Sequence, residues 1–589
     1  MIQRLLKWCD SPRFPWVLAA IAFALTLPSL SAGAFLDDRF HEHALLGHSV
    51  AGGPRGVWDL YRFSDGGAGL AAARDQGAFP WWTNPDLKLG FFRPIASLWL
   101  ALDHVIWKGV PWGPHLETAL LYAALAYVTA RAFGALVGGA AGGLAALFFV
   151  LEDGHAVALA WTANRYALVA ALFSFATLGA FVRARDAGRS SLPSAALLIL
   201  ALLGGEVSLG VVGYLFAYAL FKDPAGRRAG LLALVPHALV VVAWVVTYQL
   251  LGFGARGSSL YIDPASTPVR FLLAAIQRGP ILLLAQMFGP PAEISPNLPP
   301  QAQMGLAIVG VLLGGAVVYG VARLAKGHPA TRVLLVGALF ALGPGCAMQP
   351  DDRLLMIAGF GAFGAIAIAI HAVATAPAKA RTVGARVFTG TLAFVHLVVA
   401  GLLLPAKQLF FPRVFQGVVA LGAKTLPLEG EVADTNIVVL GVPDALIGGY
   451  MLLERLLDGS PLPKRVGFAS VQTNGSYDVE RTAVDTIEID NPLGMNASPF
   501  SAVFRDHAYA VGEKDQGSGF VVEVLEVLPT GIPSRVRLVF TDPPETWRFA
   551  VWSDAGFVEV PILAVGERRT WEGVDLMTAG QRANAKANP

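Results

Sequence analysis

Charge and cysteine are both scarce in this chain. Of its 589 residues, 15% are Asp, Glu, Lys or Arg and two are cysteine, while 55% are hydrophobic. A soluble fold could not cover that much apolar surface, so the sequence reads as a polytopic membrane protein, in keeping with a mean hydropathy of +0.56. A net charge of +2 argues against nucleic acid as a partner and shifts attention to where the charges sit. Cys9 and Cys346 lie far apart, neither in a CxxC context and on opposite sides of the membrane by the topology below, which argues against a disulfide. Internal repeats and low-complexity tracts are also missing.

Hydrophobic windows with basic flanks predict eleven spans, near 15–35, 114–135, 136–151, 165–182, 193–206, 207–221, 229–251, 303–325, 330–347, 354–375 and 387–405. Basic residues cluster at Arg131, at Arg183, Arg185 and Arg189, at Lys222, Arg227 and Arg228, at Arg323, Lys326 and Arg332, and at Lys379, Arg381 and Arg386. Alternation from a cytoplasmic N-terminus keeps every cluster inside and leaves the C-terminus outside. The stretch from Pro193 to Phe221 is expected as two short spans broken at Gly204-Gly205, with Glu206 at the outer tip. Phe271–Phe288 carries Gln277, Arg278 and Pro280, and a crossing there would reverse the parity, so it is expected to lie in the interface or re-enter.

The expected organisation is a transmembrane domain over 1–405, with 36–113 as its first outer loop, a connection over 406–429, and a β-rich domain over 430–579. Alternating runs predict strands at Asn436–Leu440, Arg465–Val471, Val521–Val527, Arg535–Phe540, Trp547–Trp552 and Phe557–Val565. Residues 580–589 read as a disordered tail. The fold class is therefore mainly α, a polytopic helical bundle of about 11 transmembrane helices with a C-terminal extracytoplasmic β-rich domain.

This topology gathers polar residues on one face. The first loop supplies Asp37, Asp38, Arg39, His41, Glu42, His43 and Arg93; a second supplies Glu152, Asp153, His155, Asn164 and Arg165; later turns add Glu206, Asp351, Asp352 and Arg353. A charge at the centre of a span costs about 2.5–3.5 kcal/mol on insertion scales, so charges at the hydrocarbon boundary need a reason. One reason is chemistry: Asp37 or Asp38 takes a proton from an acceptor hydroxyl, and arginines hold an anionic leaving group in bidentate fashion. The other is interfacial pairing among themselves and with headgroups. His41-Glu42-His43 has metal-ligand residue types, and a spacing that would share one face only in a strand. His104, His115, His237, His371 and His396, each taken alone, read as helix-packing residues. Tyr477, Trp547 and Trp552 read either as a sugar-stacking platform or as the core of the β-domain.

Four stretches in order resemble the GT-C class of membrane glycosyltransferases, and within it the protein O-mannosyltransferases. Asp37-Asp38 follows the first span, where that class places its acidic motif. Phe92-Arg93-Pro94-Ile95, Leu102-Asp103-His104 and Pro111-Trp112-Gly113-Pro114-His115 are similar to an aromatic-Arg-Pro…Pro-x-x-x-His pattern. His155-Ala156-Val157 with Leu159-Ala160-Trp161 and Asn164-Arg165 is similar to a His-Pro-Val…Val-Ala-Trp…Arg stretch. Asp352-Arg353-Leu354-Leu355 resembles a late acidic-Arg-Tyr-Leu element. The resemblance spans roughly 15–405. The chain departs from the class in carrying Gly205-Glu206 for Lys-Glu, Tyr122 for a second histidine, Ala156 for proline, and a β-rich tail in place of tetratricopeptide repeats.

The resemblance implies a polyprenyl-phosphate sugar as donor and a glycan, lipid or protein as acceptor, joined by an inverting displacement on the outer face of a plasma or inner membrane. It implies Asp37 or Asp38 as general base, Arg39, Arg93, Arg165 and Arg353 as candidates for the lipid phosphate, and His115, His155, Glu206 and Asp352 as supporting residues. No cofactor is required, although some members of the class use a divalent metal. Two other readings compete. An inactive scaffold with a glycan- or protein-binding β-domain predicts acidic residues satisfied by basic neighbours with no void beside them. A lipid flippase or transporter predicts a cavity at the membrane midplane.

Overall fold

The computed structural model describes residues 2–48, 55–427, 432–472, 475–495 and 498–587. The expected boundary between connection and β-domain falls within 428–431, outside the described residues. Among the described residues eight helices are long and apolar enough to cross a membrane: Phe14–Ser31, Gly113–Leu136, Thr162–Asp186, Arg227–Leu250, Pro268–Phe288, Pro300–Ala325, Asp352–Thr375 and Val383–Thr425. The pair Gly139–Leu151 and Asp153–Ala160, bent by 45°, makes a ninth. This is fewer than the expected eleven for a geometric reason. Leu192–Gly204, Glu206–Phe221 and Thr331–Gly345 are helical but short. A 13-residue helix such as Leu192–Gly204 rises only about 20 Å, against a hydrocarbon core of about 30 Å. The break at Gly204-Gly205 is where the sequence placed it.

The bundle is built around Asp352–Thr375, of which 94% of the most apolar stretch is buried. Its small residues allow that depth. A Cβ on Gly361 would stand 2.2 Å from the Leu334 carbonyl oxygen, and Phe360 stacks on Phe133 with ring centroids 3.9 Å apart. Tyr214 closes the same contact, donating to Ile357 O at 2.9 Å and accepting from Gly361 N at 2.9 Å.

Helix Pro268–Phe288 stays tied to the face of the bundle that carries the C-terminal domain. Arg270 reaches Ser259 Oγ at 3.3 Å, Arg278 reaches Ser259 O at 3.2 Å and Cys346 O at 3.1 Å, and past its end Ala292 N donates to Asp352 at 2.8 Å. Charge parity places this segment in the interface or as a re-entrant piece, whereas its 21 residues are long and apolar enough to cross.

Among the described residues thirteen strands form three sheets. A small one, in the order β1-β2-β3, joins β1 (Arg62–Asp65), β2 (Lys88–Gly90) and β3 (Gly254–Arg256). The C-terminal domain adds β4 (Asn436–Gly441), β5 (Arg465–Phe468), β6 (Ser476–Ala483), β7 (Thr486–Asp490), β8 (Lys514–Gln516), β9 (Phe520–Val527), β10 (Pro533–Phe540), β11 (Trp547–Ser553), β12 (Gly556–Val560) and β13 (Arg568–Glu572). They pair as a four-stranded sheet, β12-β11-β4-β5, beside a six-stranded sheet, β13-β6-β7-β10-β9-β8. β4 and β5 are parallel, so a crossover must join them, and helix Ala445–Leu457 supplies it. The domain is β-rich as expected, with this helix as an addition that proves important below.

The C-terminal ten residues are not a loose tail through Ala587. Helix Leu576–Ala587 lies along Ala400–Thr425, close enough that a Cβ on Gly580 would meet Val414 Cγ1 at 2.6 Å. Ala579 and Ala583 are buried there, against a helix that lies more than a hundred residues earlier in the chain. Residues 406–425 of the expected connection continue the long helix Val383–Thr425 without a break.

The first long loop is clamped onto the domain. Trp81 Nε1 donates to Ala469 O at 2.9 Å and Asn84 N to Phe504 O at 2.7 Å. A Cβ on Gly449, in the crossover helix, would stand 2.5 Å from Ala78 O. Gly449→Val should therefore force loop and domain apart and cost about 1–3 kcal/mol, read as a lowered thermal midpoint of the purified chain in detergent. An unchanged midpoint would contradict this packing.

Candidate active site

The acidic pair sits at the first turn of helix Asp37–Leu45, entered through Leu36 at φ 49° and ψ −120°. A positive φ at a leucine costs of order 1–3 kcal/mol and persists only where its surroundings impose it. Here Leu36 is buried against Phe35 and Val419. The two carboxylates then have different fates.

Asp38 is buried and saturated. It accepts from Thr162 Oγ1 at 2.5 Å, from Ala163 N at 2.6 Å and from Phe35 N at 3.1 Å, stitching the end of the first span to the loop at 162–165. Burial pushes its pKa up to about 7 against the pull of those donors. Asp37 instead lines a cavity of about 1480 Å³ between the bundle and the C-terminal domain. Its carboxylate accepts a short hydrogen bond from Tyr450 Oη, on the crossover helix Ala445–Leu457. Burial raises its pKa, partly offset by the Tyr450 donor and by the positive charges of Arg353 and Arg93.

Among the described residues three cations line the cavity, of which Arg505 is paired with Glu513 and Asp515. Arg353 stands 5.5 Å over the Trp161 ring, with Nε 3.1 Å from Asp351 and Nη2 3.5 Å from Met348 Sδ. Its guanidinium is thus only partly spent. Lys407, inside the last long helix, is 2.6 Å from Asp153, 3.6 Å from Asp352 and 3.7 Å from Glu293. Most of the remaining wall is apolar and aromatic, with Phe35, Trp161, Tyr261, Phe410 and Phe415 among its residues. A large, mostly apolar cavity with charged groups placed at its wall is how sites for amphiphilic ligands are built.

Other sequence-predicted residues do not reach it. Arg39 bonds Glu42 at 3.0 Å and Glu454 at 2.9 Å, pinning the acidic helix to the domain. Arg93 makes a bidentate pair with Glu206, with Nε at 2.9 Å, and stacks 3.4 Å over Tyr166. Arg165 is enclosed, paired with Asp103 at 2.6 Å and donating to Pro114 O at 2.7 Å and Thr118 Oγ1 at 3.0 Å. All three were expected as phosphate ligands. Buried beside carboxylates, they are already neutralised, because an unpaired charge there costs more than its pairing returns. His115 bonds Gly33 O at 3.1 Å, and His155 meets Tyr122 Oη at 3.0 Å, so the tyrosine standing in a histidine position serves as a packing partner. Asp352 belongs to the shell of Lys407.

His41 and His43 diverge on their helix, two residues apart and so about 200° around the axis. His41 packs on Tyr61 with ring centroids 4.8 Å apart, and burial and the Arg93 charge lower its pKa to about 3, while His43 stacks on His48 at 4.9 Å. Among the described residues no three His, Cys, Asp or Glu side chains group as a metal ion would require.

Sequence reasoning missed Lys407 and Tyr450. A signal existed for Lys407, a lone cation within an apolar helix. Tyr450 had none, because its place depends on a crossover helix docking against the bundle.

The two aspartates predict a stability contrast. In Asp38→Asn the amide nitrogen must face either the Phe35 N–H or the Thr162 and Ala163 donors, so the variant should lose about 1–3 kcal/mol. Asp37→Asn keeps an acceptor for Tyr450 and should unfold near the wild-type midpoint. Equal midpoints for the two variants would contradict the assignment.

No protein-family model and no curated protein matches the chain. Among solved structures it is similar to Archaeoglobus fulgidus oligosaccharyltransferase tethered to an acceptor peptide, at 12% identity and a TM-score of 0.39, covering 78% of this chain and 64% of that one. The archaeal AglB complex with an inhibitory peptide and a dolichol-phosphate aligns at 10% identity and a TM-score of 0.41, covering 79% and 66%. The chain thus spans less than two thirds of the length of each archaeal structure. ArnT from Cupriavidus metallidurans bound to undecaprenyl phosphate aligns at 14% identity and a TM-score of 0.37, covering 76% and 84%. These neighbours are GT-C membrane glycosyltransferases, the class that the motifs of this chain resemble.

Proposed function

We propose that this protein transfers a sugar from a polyprenyl-phosphate donor to an acceptor hydroxyl, by an inverting displacement at the extracytoplasmic face of the membrane. The observation that carries the reading is Asp37: it faces a large cavity shared with Arg353 and Lys407, and it already accepts a hydrogen bond from a hydroxyl, that of Tyr450.

The Tyr450 hydroxyl marks where an acceptor hydroxyl would sit. In the reaction that acceptor O–H gives its proton to the Asp37 carboxylate as the oxygen attacks the anomeric carbon. The bond from that carbon to the phosphate oxygen breaks, its electron pair leaving with the polyprenyl phosphate. Arg353 and Lys407 stabilise the charge that develops on the phosphate, and Asp153, Glu293 and Asp352 hold Lys407 in place. A burial-raised pKa makes Asp37 a better proton acceptor than an exposed carboxylate, provided the site stays above that pKa. The apolar wall suits the lipid chain, and the sides of the cavity formed by the C-terminal domain suit an acceptor that is a glycan, lipid or protein. The void beside Asp37 is what an inactive scaffold would lack.

The test is transfer of radiolabelled sugar from a panel of polyprenyl phosphates. Asp37→Asn, Arg353→Gln and Lys407→Met should each lose about 10²–10³ in rate with folding intact, whereas Arg39→Gln should stay close to wild type. Because only ionised Asp37 acts as base, wild-type turnover should rise with pH through a pKa above the usual carboxylate value of about 4. Absence of transfer from every donor, with lipid phosphate still bound, would overturn the reading.

A further inference from the structure

At the end of the bundle remote from Asp37, a second cavity of about 310 Å³ opens between helices Gly113–Leu136, Tyr166–Asp186 and Leu192–Gly204. Arg183 lies 18 residues along its helix from Arg165, roughly 27 Å from the level of the first site. The cleft has a sequence cause. Tyr127, Val128, Arg131 and Ala132 share one face of their helix at spacings of one, four and five residues. Ala176, Gly179, Ala180 and Arg183 face them at spacings of three, four and seven residues, and small side chains in the middle leave the gap open.

Two arginines stand at its rim without a carboxylate. Arg131 and Arg183 both line the cleft, each lies in the other's field, and among the described residues neither has an ion-pair partner. Arg183 folds back over the gap, its Nη1 only 3.3 Å from where a Cβ on Gly179 would be. Both arginines are exposed at the mouth of the cleft, where two cations without a carboxylate favour an anion between them.

The surroundings select a lipid. Trp16, 67% exposed, leans on Tyr127 at 4.4 Å between ring centroids, an amphipathic aromatic pair of the kind that marks the headgroup level. Leu197 forms one wall of the cleft, and Leu200, about one turn further along the same face, is partly exposed. Phosphate at the arginines and an acyl chain along this helix would satisfy both surfaces at once.

We propose that this cleft binds the phosphate of an anionic phospholipid, between Arg131 and Arg183, on the membrane face opposite the transfer site. It is independent of the reaction proposed above and shares no residue with it.

The full chain, purified in detergent, would be titrated with phosphatidylglycerol, phosphatidylcholine and inorganic phosphate, and bound lipid counted by native mass spectrometry. Wild type should take up phosphatidylglycerol at least tenfold more tightly than an Arg131→Gln/Arg183→Gln double variant, and more tightly than phosphatidylcholine. Ala180→Leu, which fills the gap and keeps both charges, should weaken binding similarly and serves if the double variant fails to fold. Equal phosphatidylglycerol affinity in wild type and variants would overturn the proposal. So would phosphatidylcholine matching phosphatidylglycerol, which would make the cleft a general lipid groove, or inorganic phosphate matching it, which would make the site one for a free anion.

Discussion

The constraint on which this structure depends is the cost of burying charge. In a bundle with this little water, an unpaired guanidinium or carboxylate is strongly destabilising, so most of the buried charges have been matched. Arg165 is held by Asp103, Arg93 by Glu206 and Arg39 by Glu42 and Glu454. Asp38 is satisfied entirely by neutral donors. Two groups depart from this pattern at one cavity, Asp37 on a tyrosine hydroxyl and Arg353 with a single carboxylate, while Arg131 and Arg183 stand exposed without one at another. Sites show up here as exceptions to pairing.

The C-terminal domain is part of the first of these sites. Its parallel strands β4 and β5 require a crossover, and the crossover helix lays Tyr450 against Asp37 and Glu454 against Arg39. Gly448 and Gly449 make that approach feasible, since a Cβ on either would collide with Phe468 or with the Ala78 carbonyl. The first long loop, folded between bundle and domain through Trp81, Trp82 and Asn84, closes the cavity on one side. A strained backbone at Leu36 fits this picture, because adjacent aspartates can serve two purposes only if the chain turns them apart.

Much of the fold was legible because it rests on local signals. Apolar runs and basic flanks located the helices, and the glycine pair at 204–205 located a break. Counting failed where spans were short, since hydropathy registers composition more readily than the 30 Å a crossing needs. The acidic pair was legible from its position, and so was Arg353. The roles of Arg39, Arg93 and Arg165 were not, because whether a cation is free depends on partners far away in sequence: Glu454, Glu206 and Asp103 lie 415, 113 and 62 residues off. Lys407 and Tyr450 were hidden for the same reason, one in a presumed connection and the other in a domain whose docking the sequence does not encode locally.

The most direct test of the central claim is a structure of the chain with polyprenyl phosphate bound. The account predicts density for the phosphate beside Arg353 and Lys407, within about 3.5 Å of a guanidinium nitrogen and on the same cavity wall as Asp37. Phosphate held instead by Arg93 or Arg165, with either ion pair opened to receive it, would contradict it.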